Sequence, residues 1–284
     1  MSENEVFATI LIPTCDRVDL LSRCLLALEA QVKSVHDVEV LVCDDGKTTE
    51  SKDLLERQFP WCRWISGPKK GAGINRNNGA RHALGEWLLF LDDDCVPDNE
   101  WLGAYLSAIR KDPNRDVTFE GRTYSEKNLL ERGLEAPVNE TGGALPSCNF
   151  AISKSLFARY QFRECFRHWM EDVDLHSRLR EGGYAPEFVH QASAFHPPRP
   201  LPGAWLLSSR WRARLLFERL KGKSMSSLFV WLPWHVFRLR SNTLGIVKAA
   251  TEAVLVGLKL PLWAFADQAV VSRERQSSAK LKNE

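Results

Sequence analysis

The 284-residue sequence has no CxxC pair, no internal repeat and no low-complexity linker. It also lacks any uninterrupted apolar run near the roughly 18–20 residues of a membrane span. Its seven cysteines are an odd set scattered from Cys15 to Cys165. That argues against a disulfide framework and a structural zinc site, and fits a reducing compartment. The N-terminus is polar and acidic, and its first apolar run, Ala8–Pro13, is too short for a signal peptide. Net charge is low at +2, but residues 1–200 carry 24 Lys and Arg against 31 Asp and Glu, or −7. Residues 201–284 carry 14 against 5, or +9, and hold five of the ten tryptophans: Trp205, Trp211, Trp231, Trp234 and Trp263. Basic charge with Trp points to an anionic membrane surface rather than to nucleic acid; a solvated basic helical tail is the plain alternative. With 44% hydrophobic and 26% charged residues the chain can bury a core. Only Met1–Glu5 and the polar run Arg273–Glu284 look loose.

Strand and helix patterns alternate. Phe7–Ile12, Val38–Cys43, Arg63–Ser66 and Trp87–Leu91 read as strands. Between and after them Asp19–Gln31, Leu54–Gln58, Ile74–Leu84 and Trp101–Lys111 read as helices, the third entered from a loop containing Gly71 and Gly73. This order predicts an α/β fold with an open, mainly parallel sheet and flanking helices. In such folds ligands bind at the carboxyl ends of the strands, where the polar clusters of this chain fall. Four prolines in His196–Gly203 mark a boundary, giving a domain over residues 1–200 and an extension over 201–284. In the extension Trp205–Leu220 reads as a basic helix, and Ser224–Phe237 as a charge-free stretch broken by Pro233. Leu244–Val270 reads as an amphipathic segment kinked at Pro261, with Lys248, Glu252, Lys259 and Asp267 forming its polar side.

Three acids, Asp92-Asp93-Asp94, follow the buried strand Trp87–Leu91. Their mutual repulsion is relieved by a divalent cation, and hard oxygens suit Mg²⁺ or Mn²⁺. In an extended strand end Asp92 and Asp94 point the same way and Asp93 points away; the plain alternative is a solvated acidic loop. Glu171-Asp172 and Asp174 open a second acidic cluster at the start of a helix, where the macrodipole alone would favour them. The chemical reading is a carboxylate acting as general base toward a hydroxyl. His196 closes the apolar stretch Ala192–Phe195 and is a candidate metal ligand.

The segments Ile12-Pro13-Thr14-Cys15-Asp16-Arg17, Asp44-Asp45-Gly46, Gly71–Ala80 and Leu91-Asp92-Asp93-Asp94 occur in this order, followed by Glu171-Asp172-Val173-Asp174-Leu175 and His196. Together they resemble the family 2 glycosyltransferases, of GT-A fold, over about residues 7–200. The resemblance implies that Pro13, Thr14 and Arg17 lie against the nucleotide and that Asp45 reads its base, often uracil. It implies that Gly73, Arg76 and Asn77 form a turn beside the nucleotide. Asp92 and Asp94 match the DXD motif, with Asp92 and Asp93 counted on the donor side, and Asp94, Asp92 and His196 as metal candidates. Glu171 and Asp172 match the ED motif, Asp172 in the position of the base. Asn149, in a strand under the acceptor site, and Trp169 are acceptor candidates; Trp169 could equally be core. The stretch Tyr160–Glu164 departs from the Gly-Gly-Phe-Asp-Glu of many members, keeping only the aromatic and the final acid.

The expected activity is therefore metal-dependent, inverting transfer of a sugar from a nucleotide-diphosphate sugar, UDP-sugar favoured, to an acceptor hydroxyl. The basic extension suggests a lipid-linked or cell-envelope glycan acceptor and a cytoplasmic enzyme, peripheral on the inner face of the membrane, with no nucleic-acid partner. Two rivals are a catalytically inactive nucleotide-sugar-binding or membrane-scaffolding protein and a nucleotidyltransferase. The latter usually shows a Gly-rich loop after the first strand, which Ile12–Arg17 lacks.

Overall fold

The computed structural model describes residues 6–167, 169–201, 204–244 and 246–281. The elements are β1 (Ala8–Thr14), α1 (Val18–Lys33), β2 (Val38–Asp44), α2 (Glu50–Gln58), β3 (Cys62–Ser66), α3 (Ala72–His82), β4 (Trp87–Leu91), β5 (Val96–Pro97), α4 (Trp101–Arg110) and β6 (Thr118–Tyr124). They continue with β7 (Leu134–Glu135), β8 (Asn149–Ser153), α5 (Lys154–Tyr160), α6 (Glu171–Glu181), β9 (Glu187–Phe195), β10 (Arg199–Pro200), α7 (Ala204–Leu220), α8 (Met225–Leu244), α9 (Ile246–Ala266) and α10 (Gln268–Leu281).

One eight-stranded sheet runs in the order β3-β2-β1-β4-β8-β6-β9-β5. Its first four strands are parallel, and β8 joins antiparallel to both β4 and β6. The expected mainly parallel α/β sheet is observed. β6 escapes a period-2 reading because Glu120 and Arg122 break its apolar content, yet the strand is almost wholly buried. One layer packs α1 and α4 under β1, β2 and β4, centred on Leu25, Leu28, Trp101 and Tyr105. The other face holds Phe90, Phe150, Phe157, Phe162, Leu175 and Leu179.

By its contacts the chain divides into two compact units. The first runs to Lys127 and resumes over Ala136–Arg199; the second takes Asn128–Glu135 and the chain from Pro200. The short segment Asn128–Glu135 thus joins the second unit, which no compositional break announces.

In the second unit Leu215, Leu228, Leu232, Val236, Val256 and Leu260 form a separate core. Three expectations are corrected here. Helix α8 runs through Pro233 rather than breaking there. The run from Arg273 is helical as far as Leu281, within α10. The polar side expected for α9 is divided. Glu252 turns inward and accepts from Trp211 Nε1 at 2.6 Å, and Asp267, just beyond the helix, is buried against Arg212 at 2.7 Å. Lys248–Ala266 is also long and apolar enough, by composition, to cross a membrane. Met1–Glu5, His168, Pro202, Gly203, Gly245 and the residues beyond Leu281 lie outside the described residues, as do the side chains of residues 204–209 (among them Trp205), 230, 239–247 and 278–281.

Candidate active site

The parallel strands β1, β2 and β4 end side by side, so the segments that follow them share one edge of the sheet. Thr14 ties two of these segments together. Its carbonyl accepts the Asp45 N–H at 2.9 Å, and its Oγ1 donates to Asp93 Oδ2 at 2.6 Å. Pro13 and Thr14 are themselves buried within β1. Thr14 thus holds its neighbours, and both residues belong to the strand, which corrects the reading of this stretch as a loop. Arg17, beyond the strand end, is part-exposed and pairs with both Asp93 and Asp94 Oδ2, the latter at 3.1 Å.

Asp45 accepts the N–H groups of Lys69 at 2.8 Å and Gly71 at 3.2 Å. This fixes the entry to α3. Gly71 has φ +104°, and a Cβ there would lie 2.6 Å from Arg167 O, so only glycine fits. The helix takes in Ala72 and Gly73, which sequence reading left in the loop. On its first turns Arg76 is buried and pairs with Asp92, its guanidinium 5.6 Å from the Phe162 ring centre. Asn77 is buried and its side chain is bonded within the protein. Its amide brackets Phe162, donating to Phe162 O at 2.8 Å and accepting from Phe162 N at 3.0 Å. The one aromatic that survives in the departing stretch Tyr160–Glu164 is therefore the floor beneath Arg76.

The acidic triplet does not continue the strand alternation. The Cys95 N–H bonds to Asp92 O at 3.1 Å, closing a turn over these residues. Asp92 goes to Arg76, Asp93 goes inward to Thr14 and Arg17, and Asp94 goes toward His196. Asp92 and Asp94 thus diverge. Asp93 is fully buried, and burial pushes its carboxyl up to about 7 against the opposing pull of Arg17 and Thr14. It cannot touch a donor directly.

Asp94 and His196 form the arrangement most suited to a cation. His196 Nε2 lies 3.4 Å from Asp94 Oδ1, an enclosed oxygen with no hydrogen-bond partner among the described residues. His196 Nδ1 lies 2.8 Å from Pro197 O, which can only accept, so the proton of a neutral imidazole sits on Nδ1. Nε2 then presents a lone pair to the orphan carboxylate oxygen. This donor set, a carboxylate and an imidazole oriented by a backbone carbonyl, fits a divalent metal. Cys95 is the third group nearby. Its thiol is held protonated by its hydrogen bond with Cys148 and by burial, which makes it a poor ligand for a hard cation.

Glu171 and Asp172 open α6, just after Met170 in the left-handed conformation with φ +70°. Burial pushes the Glu171 carboxyl up to about 7; Asp172 adds to the rise and Arg76 opposes it. Its Oε2 is enclosed and has no hydrogen-bond partner among the described residues. Asp172 is also raised by burial, while the Val173 N–H, bonded to its Oδ1 at 2.8 Å, and Arg76 pull it down. Arg76 thus acts electrostatically on both acids and on Asp92. Asp174 separates from them: it is buried between Arg163 at 2.9 Å and Arg178 at 2.7 Å.

Of the two acceptor candidates, Asn149 is corrected. Its fully buried Oδ1 accepts from Trp101 Nε1 and Tyr105 Oη, both at 2.8 Å, and its Nδ2 donates to Arg122 O and Ala192 O, both at 3.0 Å. All four hydrogen-bonding positions are used inside the protein. Gly121 beside it has no room for a Cβ, which would meet Asn149, Tyr105 and the Ala192 carbonyl. Trp169 is half-buried, with the Arg199 guanidinium 5.4 Å from its ring centre. Sequence reading also missed Glu120, whose buried carboxylate accepts from the N–H groups of Gly143, Ala144 and Leu145 and from Asn139 Nδ2 at 3.0 Å. A lone acid inside a strand gives no warning of this. A groove of about 720 Å³ between α4 and β9, lined in part by Ser107, Lys111 and Phe188, includes none of the acids discussed above.

Residues 9–168 match the sequence profile of Glycosyl transferase family 2. Among similar proteins, Glycosyltransferase AglE of Haloferax volcanii is 24% identical over 290 residues, covering 93% of each chain. The GalNAc(5)-diNAcBac-PP-undecaprenol beta-1,3-glucosyltransferase of Campylobacter jejuni is 29% identical over 259 residues, 89% of this chain and 72% of its own. Among solved structures, the mannosyltransferase PcManGT of Pyrobaculum calidifontis, in complex with GDP-Man and Mn²⁺, superposes with a TM-score of 0.56. It is 16% identical, over 96% of this chain and 84% of that one, so the likeness is one of fold.

Proposed function

The chain belongs to glycosyl transferase family 2, and from that premise we propose that it is a metal-dependent, inverting enzyme that moves a sugar from a UDP-sugar to the hydroxyl of a lipid-linked glycan. It is a glycosyltransferase of GT-A fold. The observation that carries the finer reading is the orphan Asp94 oxygen facing the His196 imidazole at the strand ends.

Asp45 would accept a hydrogen bond from the nucleotide base, and the Gly71–Arg76 turn that it fixes would border the nucleotide. Arg76, desolvated and poised over Phe162, is placed to favour negative charge. Asp94 and His196 would hold the divalent cation, which when bound offsets charge on the leaving diphosphate. Asp172 would take the proton of the acceptor hydroxyl as its oxygen bonds to the anomeric carbon. The bond from that carbon to the diphosphate breaks on the opposite face, which inverts the configuration. The remaining work is positioning and preorganised electrostatics.

The solved relative bound to GDP-Man makes guanosine the base to test beside uridine. The lipid-linked acceptor is supported by the Campylobacter relative, whose name carries an undecaprenol-linked glycan. It is supported also by the basic, Trp-bearing residues 201–284, which we read as a peripheral membrane extension of a catalytic domain over residues 1–200, on the cytoplasmic face. Trp169 is our candidate for contact with the acceptor.

The test is thermal shift with a panel of nucleotides and nucleotide sugars, with Mn²⁺ and with EDTA, on the wild type and Asp94→Ala. Binding to the native state raises the melting temperature. A metal-dependent shift with one nucleoside diphosphate, lost in the variant, supports the donor site and identifies the base. No shift with any of them brings forward the inactive scaffold reading.

A further inference from the structure

Helix α9 carries two apolar faces where one suffices. Its inner face places Val256 and Leu260 in the core with Leu228, Leu232 and Leu215. Its outer face presents Val254, Leu258, Leu262 and Phe265, which are 61%, 71%, 72% and 83% exposed. These positions are three or four apart and form one stripe, roughly 16 Å long at 1.5 Å per residue. On α8 the exposed side chains include Phe229 and Trp234. A Cβ on Gly257 would lie 3.8 Å from the Pro233 ring, so the residues following each, Leu258 and Trp234, adjoin the same helix crossing. An exposed apolar stripe of this kind marks an interaction surface.

The charges indicate what covers it. Residues 201–284 hold 14 Lys and Arg and only 5 Asp and Glu. Three of those acids are buried and paired: Glu218 with Arg214 and Lys223, Glu252 with Trp211, and Asp267 with Arg212. With these acids and their partners Arg212, Arg214 and Lys223 set aside, 11 Lys and Arg stand against 2 Asp and Glu in the sequence of this segment. A second copy would bring two surfaces of the same sign together. An anionic lipid surface supplies both the complementary charge and an apolar phase. Lys248 and Lys259 sit roughly a quarter-turn round the helix from the stripe, where long cationic side chains reach lipid headgroups. Crossing the bilayer would draw Glu252 into hydrocarbon and away from its bond to Trp211.

We infer that α9 lies in the plane of an anionic membrane surface, with Val254, Leu258, Leu262 and Phe265 immersed and Trp234 at the interface. This rests on the reading of residues 201–284 as membrane-associating, and adds which face enters the membrane and how. The surface would bring the catalytic unit to an acceptor confined to two dimensions.

The experiment is sedimentation of the full chain with vesicles of phosphatidylcholine and of phosphatidylcholine with phosphatidylglycerol. Wild type is compared with Leu258→Ser, Leu262→Ser and Phe265→Ser, each checked for an unchanged melting temperature. The stripe is solvent-exposed, so these variants are expected to fold. Wild type should sediment with the anionic vesicles, and each substitution should weaken binding by about tenfold. Tryptophan quenching should be stronger with bromine near the headgroup than deep in the acyl chain, and alkaline carbonate should release the protein from cell membranes. Wild type that binds neither vesicle overturns the membrane reading itself. Binding that all three variants retain overturns the stripe alone, leaving charge as the attachment. Deep quenching with carbonate resistance replaces it with a span, and a stripe-dependent dimer that ignores vesicles replaces it with self-association.

Discussion

In the neutral tautomer that the Pro197 carbonyl selects, His196 turns its Nε2 lone pair toward Asp94 Oδ1. The 3.4 Å separation of Nε2 from Oδ1, and the commitment of Nδ1 to the Pro197 carbonyl, leave a gap that a cation satisfies and a hydrogen bond from neutral histidine does not. Replacing either residue removes one donor. Asp94→Asn and His196→Ala should each weaken Mn²⁺ binding, measured by calorimetry in the presence of nucleoside diphosphate, by about tenfold or more. Unchanged Mn²⁺ affinity in both would remove the metal from this pair.

Asp172 is raised above the ordinary aspartate range by burial. A base must be ionised to accept a proton, so the acidic limb of kcat/KM should lie above that range, with activity rising as pH increases through it. Asp172→Asn should lower turnover by roughly 10²–10⁴-fold. Donor affinity, read by thermal shift, should stay close to wild type. A variant that keeps its turnover would exclude Asp172 as the base.

Glu171 gives a stability signature of its own. A carboxyl raised from 4.5 to about 7 favours the fold while protonated. Its contribution is complete below the unfolded value and is lost as pH rises through the folded one. Glu171→Gln should therefore be more stable than wild type at pH 8, by about 3 kcal/mol at most, and the gap should close near pH 4. Chemical denaturation at the two pH values measures it, and a gap that widens toward acid would contradict the assignment.

Asn149→Ala leaves the Trp101 and Tyr105 donors and two carbonyls unpaired in the core. The expected loss of stability is about 3 kcal/mol or more, seen as a lowered melting temperature. The KM for acceptor should not move. A variant with wild-type stability and weakened acceptor binding would return Asn149 to the acceptor site.

The strands β1 to β4 and the helices between them were legible because their apolar spacing is uninterrupted and polar clusters close each strand. The position of the site at the strand ends followed from the same pattern. The direction of individual side chains did not. Strand alternation made Asp92 and Asp94 neighbours, but the turn that begins at Asp92, together with Arg76 and His196 arriving from distant segments, separates them. The family resemblance set Asn149 and Asn77 beside ligands, and both are occupied by internal bonds. Pro233 reads as a break, yet the helix continues through it. Sequence spacing also assigned Glu252 and Asp267 to a wet face. Their partners, Trp211 and Arg212, lie more than forty residues away, so no local pattern could reveal them.

Thr14 holds the Asp45 segment through its carbonyl and the acidic turn through its hydroxyl. A perturbation of Asp45 thus has a two-bond route to Asp93 and, through Arg17, to Asp94. Free-energy coupling between two ligands is reciprocal. Whatever factor a nucleotide adds to the affinity for metal, the metal must add to the affinity for nucleotide, and Thr14→Val, which keeps the carbonyl and removes the hydroxyl, would cut that exchange at a single atom.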